Sequence, residues 1–287
     1  MRYDFVGKRK FAYALSLIII IAGIVSLVTQ GLNLGVDFTG GTVFQVEFKE
    51  DKAIGDLREE LSSIDYGNAQ IQELQDNAFQ IRTEFMDQTA QDKFEKQLKD
   101  ASGSFEVLSA NAVGPSIGQE ILLSGVLALV VAMVLMVAYI TVRFQWRFAL
   151  AGNVALFHDI LVTVSLFSIF QLEVSSSFVA AILTIFGYSI NNTIVVFDRI
   201  RERLGNVKRD DLPATVNDGI RATLRRSMFT SLTTLIPIVC VFFLGGDTTK
   251  LFVLAIIIGI VSGTYSSIFV ASPLWYDFSM MTKKKRF

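Results

Sequence analysis

The residues of this chain that could do chemistry are polar side chains inside long apolar stretches. Asp159, with His158 beside it, lies near the middle of the apolar segment from Phe148 to Leu172. A charge at the centre of a bilayer costs at least ~2.5–3.5 kcal/mol on insertion scales, so an acid there needs a reason. We interpret Asp159 as a carboxyl group that carries protons or gates a structural change. The alternative is an acid that pairs with a basic residue and locks two helices together.

Two adjacent amides, Asn191 and Asn192, lie late in another apolar segment and are followed by Thr193. Amides in lipid indicate hydrogen bonds between helices. They cannot carry protons by titration, so they need no role in transport. The segment continues into Asp198 and Arg199, for which a solvated, salt-bridged helix end is the simpler interpretation.

A base opens the next apolar segment. Arg226 begins it, and Thr230 and Thr233 lie roughly along one stripe of a helix with Arg226. We expect Asp159, Asn192 and Arg226 to line a polar, hydrated seam formed by the third, fourth and fifth membrane helices. An acid, an amide and a base that converge from three helices are what a proton relay or a gated cavity needs. Anchoring by positive charge is the alternative for Arg226.

Membrane-spanning helices must position these residues. The 287-residue chain is 52% hydrophobic and 18% charged, which is too apolar for an ordinary soluble domain. A spanning helix needs about 20 mostly apolar residues, and six segments qualify. We predict the spans at 11–30, 119–142, 149–171, 175–198, 226–245 and 250–274. The first is interpreted as an uncleaved anchor, because its apolar core exceeds the ~7–15 residues of a signal peptide.

The basic residues are distributed unevenly along the chain. In a six-span arrangement, 18 of the 26 Lys and Arg residues fall on one side of the membrane. They lie at 1–10, between the second and third spans, in or next to the loop and helix at 199–225, and in the tail at 275–287. The positive-inside rule makes that side cytoplasmic. We therefore predict that both termini are cytoplasmic and that residues 31–118 are extracytoplasmic.

The segment 31–118 has the pattern of a small α+β domain. We predict strands at Thr42–Phe48, Ala69–Leu74, Phe79–Thr83 and Ser104–Ala112, and helices at Lys52–Ile64 and Gln88–Leu98. The order βαββαβ predicts a ferredoxin-like fold. Its 16 acids against 7 bases make nucleic-acid binding unexpected. The acidic surface serves either solubility or contact with a basic client.

Other kinds of site have little support in the sequence. Cys240 is the only cysteine, so an intrachain disulfide is excluded. With a single histidine as well, we expect no metal site and no cofactor apart from the proton. No nucleophile has a base at a suitable spacing, so we predict that the chain is not an enzyme.

Several sequence blocks resemble one known family. They are Gly35–Gly41 with Asp37, Gly40 and Gly41, then Val113–Gly118, Gly187–Glu202, Thr230–Thr234 and Gly263–Ser267. In these blocks the chain resembles the SecD/SecF family of the RND superfamily, in particular its SecF half. Members are accessory subunits of the bacterial Sec preprotein translocase. The blocks and their spacing cover nearly the whole chain.

The resemblance implies a function, partners and a location. It implies that the chain pairs with SecD, and that the pair associates with the SecYEG channel in the lipid bilayer of the bacterial inner membrane. The pair is expected to use the proton-motive force to promote translocation of a preprotein. The family usually has Asp, its favoured proton carrier, where this chain has Asn192, and its Arg matches Arg226. Because Asn cannot lose a proton, coupling would run through other acids such as Asp159 or those of the partner, or this chain would be a substituted variant held in one state.

Two other functions stay open at this point. One is a scaffold subunit of the translocon that is not coupled to protons, which the missing Asp favours. The other is a half-size RND-type exporter of small apolar molecules. That exporter would need a wide hydrophobic pocket in the outer domain, for which an acidic domain of this size is too small.

Overall fold

The computed structural model describes residues 3–74, 77–205 and 207–281. Residues 282–287, which include the basic tail Lys283–Arg286, lie outside the described residues. The described chain divides into two compact units. One is an α+β unit formed by Leu34–Leu127 together with Val174–Ser176, and the other, the membrane unit, contains the rest.

The elements follow in this order. They are α1 (Arg9–Thr29), β1 (Asn33–Leu34), α2 (Val36–Thr39), β2 (Gly41–Phe48), α3 (Ile54–Ser63), β3 (Gln70–Glu73), β4 (Ala78–Thr83), α4 (Gln88–Ser102), β5 (Phe105–Val113), α5 (Pro115–Arg143), α6 (Trp146–Ile169), β6 (Glu173–Val174), α7 (Ser176–Leu204), α8 (Leu212–Leu244), α9 (Asp247–Ser266) and α10 (Ser272–Met280). A short 3₁₀ turn, Arg209–Asp211, precedes α8, and a π-helical turn, Ser267–Ala271, joins α9 to α10.

Six helices in the described part of the chain are long and apolar enough to cross a membrane. They are α1, α5, α6, α7, α8 with its preceding turn, and the continuous run from α9 to α10. The prediction of six membrane helices is confirmed. The helices extend past several of the predicted span limits, because α7 continues to Leu204 and α8 already begins at Leu212. Pro213 lies in the first turn of α8, a position in which Pro is well tolerated.

The α+β unit contains one antiparallel sheet of four strands in the order β3-β4-β2-β5. Phe44 and Phe79 of the sheet share a core with Leu57 and Leu61 of α3 and with Phe94 of α4, so both helices cover the same face. The predicted ferredoxin-like order βαββαβ is confirmed. Alternation of apolar residues along Thr42–Phe48 predicted the first of these strands, which the structure places at Gly41–Phe48.

The membrane unit is built around α6, α7 and the α9–α10 run, which are the most buried of the long helices. Aromatic side chains fill one end of this core: Phe148 stacks on Trp275 at 4.4 Å and packs against Phe197 at 5.0 Å between ring centroids. By contrast, α5 and α8 leave most of their apolar surface uncovered. Those two helices therefore offer the surface that lipid or another protein must cover.

The residues before α1 are held against α8. The side-chain oxygen of Asn217 accepts hydrogen bonds from the backbone N–H groups of Phe5 at 2.9 Å and Val6 at 3.1 Å. Its amide nitrogen donates to Asp4 at 2.8 Å, and the same Asp4 oxygen accepts from the N–H of Gly7. Residues 4–7, the start of α8 and the start of α1 therefore lie at one end of the membrane unit.

Candidate functional site

Asp159 lies at the centre of the membrane unit and is 0% exposed. Its Oδ1 accepts hydrogen bonds from Ser262 Oγ at 2.7 Å and from His158 Nδ1 at 2.9 Å. Its Oδ2 accepts from Ser189 Oγ at 2.5 Å and from Ser266 Oγ at 2.7 Å. Four side chains thus supply this carboxyl group with the hydrogen bonds that water would otherwise give. The single side chain thereby joins α6 to α7 and to α9.

Small residues on α9 let this helix approach α7 closely enough for those bonds. A Cβ atom at Gly259 would lie 2.2 Å from Ile185 Cγ1, and one at Gly263 would lie 3.1 Å from Ser189 Cβ. Close contact at Gly-x-x-x-Gly spacing is typical of membrane helix packing. The glycines therefore set the helix separation that brings Ser262 and Ser266 to the carboxylate.

His158 extends the hydrogen-bond network to α1. Its Nε2 lies 2.8 Å from Ser16 Oγ, and the ring stacks against Tyr265 with 6.1 Å between centroids. The Tyr265 hydroxyl donates to the carbonyl oxygen of Ala12 at 2.9 Å. With a neutral ring that donates from Nδ1 to Asp159, Nε2 accepts from Ser16. Four helices are thus linked through two adjacent residues.

Asn192 and Thr193 are buried, whereas Asn191 is exposed. The Nδ2 atom of Asn192 has no hydrogen-bond partner among the described protein atoms. Asn192 is not among the hydrogen-bond partners of Asp159, because Ser189, one turn earlier on α7, takes that place. The two neighbouring amides therefore face different surroundings, as their 100° offset on a helix requires.

The structure does not bring Arg226 to Asp159. Arg226 is exposed and lines a crevice of about 410 Å³ with Asp198 and Arg199 at the far end of α7. Thr230 and Thr233 are exposed on the same side of α8. The buried residues Ser227 and Ser231 are the ones that face the other helices. The expected convergence of acid, amide and base at one place is therefore not found. Helical spacing placed Arg226, Thr230 and Thr233 on one side of α8, but it did not show that the opposite side packs against the other helices.

Ion pairs surround the crevice. Asp198 lies 3.5 Å from Arg143 at the end of α5, and Arg199 pairs with Glu202 at 2.8 Å. All four side chains are substantially exposed, so each pair stabilises the fold by no more than about 0–1 kcal/mol. The simpler interpretation of Asp198 and Arg199, a salt-bridged helix end, fits this geometry.

Asp37, in the sequence block after α1, makes a local bond within the α+β unit. Its Oδ2 accepts from the backbone N–H of Ser176 at 2.8 Å and from the Ser176 hydroxyl at 2.6 Å. Ser176 is the first residue of α7. A carboxylate is favoured at a helix N-terminus because the first N–H groups have no partner within the helix.

The two glycines of that block are required by backbone geometry. Gly40 and Gly41 have φ of +75° and +136°. A Cβ at Gly41 would lie 2.8 Å from the carbonyl oxygen of Thr83, and one at Gly40 would lie 2.9 Å from Pro115 Cα. Glycine alone meets both conditions at little cost. The role of this block is therefore to shape the backbone where β2 begins.

The serines around Asp159 were not predicted from the sequence. Ser189, Ser262 and Ser266 bond to the carboxylate and Ser16 bonds to His158, and none of the four was predicted to lie at this site. Ser262 and Ser266 did carry a signal, since polar residues four apart in an apolar helix lie on one face. Among the described residues, no group of three or more His, Cys, Asp or Glu side chains is arranged to hold a metal ion.

Comparison with known proteins gives consistent matches. Residues 93–281 match the family described as "Protein export membrane protein SecD/SecF, C-terminal", and residues 25–52 match the "SecD/SecF GG Motif". The chain is 38% identical to the protein translocase subunit SecF of Sebaldella termitidis over 93% of this chain and 89% of that protein. It is 40% identical to the SecF of Magnetococcus marinus over 95% of this chain and 90% of that protein.

Solved structures agree in fold. The chain is similar to the crystal structure of SecDF, described as a translocon-associated membrane protein, from a Thermus species, with a TM-score of 0.90 and 34% identity. The match covers 98% of this chain but only 39% of that chain. A SecDF structure in a "Super-membrane-facing form" matches with a TM-score of 0.72.

Proposed function

The chain belongs to the SecD/SecF family of protein export membrane proteins, and from this premise we propose that it is the SecF subunit of a bacterial Sec translocase. It pairs with SecD, associates with the SecYEG channel and uses the proton-motive force to promote preprotein translocation across the inner membrane. The end of the membrane unit that carries the N-terminus is cytoplasmic, and the α+β unit is extracytoplasmic.

The observation that carries the proposal is the buried carboxylate of Asp159 with its four donors. An ionised carboxylate only accepts, whereas a protonated one has an O–H that must donate. Protonation therefore forces at least one of the surrounding groups to change its partner. Ser266 has an alternative acceptor at hand, because its Oγ already lies 3.3 Å from the carbonyl oxygen of Gly263.

Changes at this carboxylate favour one packing of α9 against α6 and α7 over another. A proton that crosses the membrane supplies about 2.3 kcal/mol per 100 mV. That amount is comparable with one or two buried hydrogen bonds, which are worth about 0.5–1.5 kcal/mol each. The energy of proton entry therefore suffices to exchange one or two of the hydrogen bonds of Asp159.

Pairing with SecD is supported by the polar surface of α8. Thr230 and Thr233 are exposed in a helix long enough to cross the membrane, and Arg226 lies beside them. Polar side chains within a membrane normally face protein or a water-filled cavity rather than lipid. The matched SecDF chain is also much longer than this one. The uncovered face of α8 is accordingly the surface that we assign to SecD.

A second candidate function is a scaffold subunit that is not coupled to protons. Asn192 favours it, since the residue at this position in the family is usually an acid and an amide cannot release a proton. The two functions differ in what they require of Asp159: coupling needs an ionisable group there, and a scaffold needs only the hydrogen bonds.

The test is secretion of a reporter in cells depleted of their own SecD and SecF and supplied with SecD and this chain. We expect export that a protonophore reduces, and we expect Asp159→Asn to abolish the part sensitive to the protonophore. Asp210→Asn changes an exposed acid before α8 and is the matched control. We expect its export to stay sensitive to the protonophore. Export by Asp159→Asn that equals the unsubstituted chain, with the same protonophore sensitivity, would reject coupling at Asp159 and leave the scaffold.

A further inference from the structure

A cavity of about 360 Å³ lies between α1, α6 and α9 of the membrane unit. Its apolar lining includes Leu15 and Ile19 of α1, Val162 of α6, and Ile258 and Val261 of α9. Leu15 is 44% exposed and Val261 is 54% exposed, so the cavity opens to the outside of the unit between α1 and α9. An apolar cavity of about 150 Å³ already holds benzene. The space is therefore large enough for a length of hydrocarbon chain.

The polar side chains around the cavity are all engaged in hydrogen bonds within the protein. Ser16 Oγ lies 2.8 Å from His158 Nε2, and Ser262 donates to the buried carboxylate at 2.7 Å. The Tyr265 hydroxyl donates to the carbonyl oxygen of Ala12 at 2.9 Å. A bound water needs two to four polar partners, and cavities without them stay dry. The bilayer hydrocarbon onto which the cavity opens is therefore the occupant that fits its chemistry.

A row of aromatic rings leads from the cavity to one end of the membrane unit. His158 stacks on Tyr265 with 6.1 Å between centroids, and Tyr265 stacks on Phe269 at 5.2 Å. Phe269 then meets Tyr3 edge-on at 6.3 Å. The ammonium group of Lys8 lies 4.5 Å from the centre of the Tyr3 ring. The row of rings thus connects the cavity with an exposed cation.

Helix α1 runs along the same path. Lys8 is the N-cap of α1, and residues seven and eleven positions apart lie on one face of a helix, so Lys8, Leu15 and Ile19 share a stripe. At 1.5 Å per residue, Lys8 and Ile19 are about 16 Å apart along the axis. One leaflet of the hydrocarbon core is about 15 Å thick, half of the whole core. An acyl chain that begins beside Lys8 therefore reaches the cavity with its end.

We propose that this groove between α1 and α9 binds one phospholipid, with the end of an acyl chain in the cavity and the headgroup phosphate on Lys8. Arg9, next to Lys8, is paired with Asp277 at 2.9 Å, whereas the Lys8 ammonium is exposed at the level of the headgroups. The chain fills a space whose walls would otherwise lose dispersion contacts. Its end packs against the floor of the cavity, which includes His158.

Photocrosslinking tests the site in the full chain, reconstituted with and without SecD in vesicles of phosphatidylethanolamine and phosphatidylglycerol. The probe is a trace of phosphatidylglycerol with a diazirine at the end of one acyl chain. Mass spectrometry then locates the labelled residues. The reference surface is 130–135 of α5, where Val134 is 61% exposed.

Two pairs of variants separate the site from ordinary lipid contact. Leu15→Trp fills the mouth of the cavity, and Leu17→Trp, at a residue that is 57% exposed and does not line the cavity, is its matched control. Lys8→Gln removes the cation on the stripe. Lys10→Gln is its control, because two residues along a helix place this exposed side chain about 200° away.

We expect labelling of residues 257–265 on α9 to exceed labelling of 130–135 on α5 at least fivefold, with or without SecD. Leu15→Trp and Lys8→Gln should each reduce the labelling of 257–265 at least threefold. Leu17→Trp and Lys10→Gln should leave it unchanged.

Equal labelling of α9 and α5 in the unsubstituted chain, a measurement that needs no variant to fold, would overturn the proposal. Labelling of 257–265 that is unchanged by Leu15→Trp or by Lys8→Gln would do the same. Labelling that disappears when SecD is present would assign the groove to SecD instead of a lipid. None of these measurements depends on export, so the lipid site and the proposed function can fail separately.

Discussion

His158 and Asp159 are neighbours in sequence and hydrogen-bond to each other, with 2.9 Å between Nδ1 and Oδ1. Adjacent side chains leave a helix about 100° apart, and the imidazole nevertheless lies within hydrogen-bonding distance of the carboxylate. Its other nitrogen reaches Ser16 on α1. The pair therefore connects α6 to α7 and α9 through the hydrogen bonds of Asp159, and to α1 through the hydrogen bond of His158.

The first prediction concerns the stability given by the carboxylate. Asp159→Ala leaves the hydroxyls of Ser189, Ser262 and Ser266 and the ring of His158 without their acceptor, at about 1–3 kcal/mol for each group that finds no other partner. We expect the free energy of unfolding to fall by roughly 3 kcal/mol or more. Asp159→Asn keeps one acceptor oxygen, so its free energy of unfolding should fall by less than that of Asp159→Ala. Thermal unfolding of the purified chain in detergent measures both, and equal midpoints for the two variants would contradict this account.

The second prediction concerns the glycines at the start of β2. Gly41→Ala should destabilise the α+β unit by about 1–3 kcal/mol, because φ there is +136° and the new methyl group would meet the Thr83 carbonyl oxygen. Gly55→Ala is the control, since a Cβ there meets no atom within 4 Å and Ala favours helix α3. Limited proteolysis of the full chain between residues 41 and 113 is the measurement. Equal cleavage rates in the two variants would refute the prediction.

The third prediction is a pH dependence at the start of the chain. Hydrogen bonds from the Gly7 N–H and then from the Asn217 amide hold the pKa of Asp4 below its ordinary value of 3.8. A folded-state pKa that is lowered gives stability that is present above pH 3.8 and is lost as pH falls through the lower folded value.

Hydrogen exchange of the Phe5, Val6 and Gly7 amides, corrected for intrinsic rates, measures this effect. Protection should be constant from pH 6 to about pH 4.5 and should fall as the pH is lowered further. Asp4→Asn should remove this fall in protection at low pH and leave the hydrogen bonds from Phe5 and Val6 to Asn217 intact. If protection still falls at low pH in Asp4→Asn, the pH dependence belongs to another titratable group.

The fourth prediction tests the position where the family usually has an acid. Asn192→Asp places a titratable group at a buried position of α7. We expect reporter secretion by this variant to become more sensitive to a protonophore. Asn191→Asp is the matched control, because it adds the same group on the exposed side of α7. An equal response of both variants would show that position 192 has no special access to protons.

The fifth prediction concerns the face of α8 assigned to SecD. In a Cys240→Ser background, Thr233→Cys should form crosslinks to SecD with a short bifunctional thiol reagent when SecD carries cysteines on its membrane helices. Ile18→Cys, exposed on α1, should form none. Crosslinks from Ile18→Cys alone would move the interface to α1.

The sequence by itself determined the six membrane helices and the order of elements in the α+β unit. Both depend on local properties: a run of apolar residues must cross the bilayer as a helix, and a strand with one buried face must alternate. It also identified Asp159 as the residue of interest, since an acid in an apolar run stands out without any knowledge of its neighbours.

Only the tertiary structure decided which polar groups meet. Asp159 binds Ser189 and Ser262, which are distant in the chain, and Arg226 stays on the outer side of α8. The direction in which a residue faces depends on how far each helix is rotated about its axis, and that rotation is set by close packing such as Gly259 on Ile185. Helical spacing defines a stripe, but the neighbouring helices determine what the stripe touches.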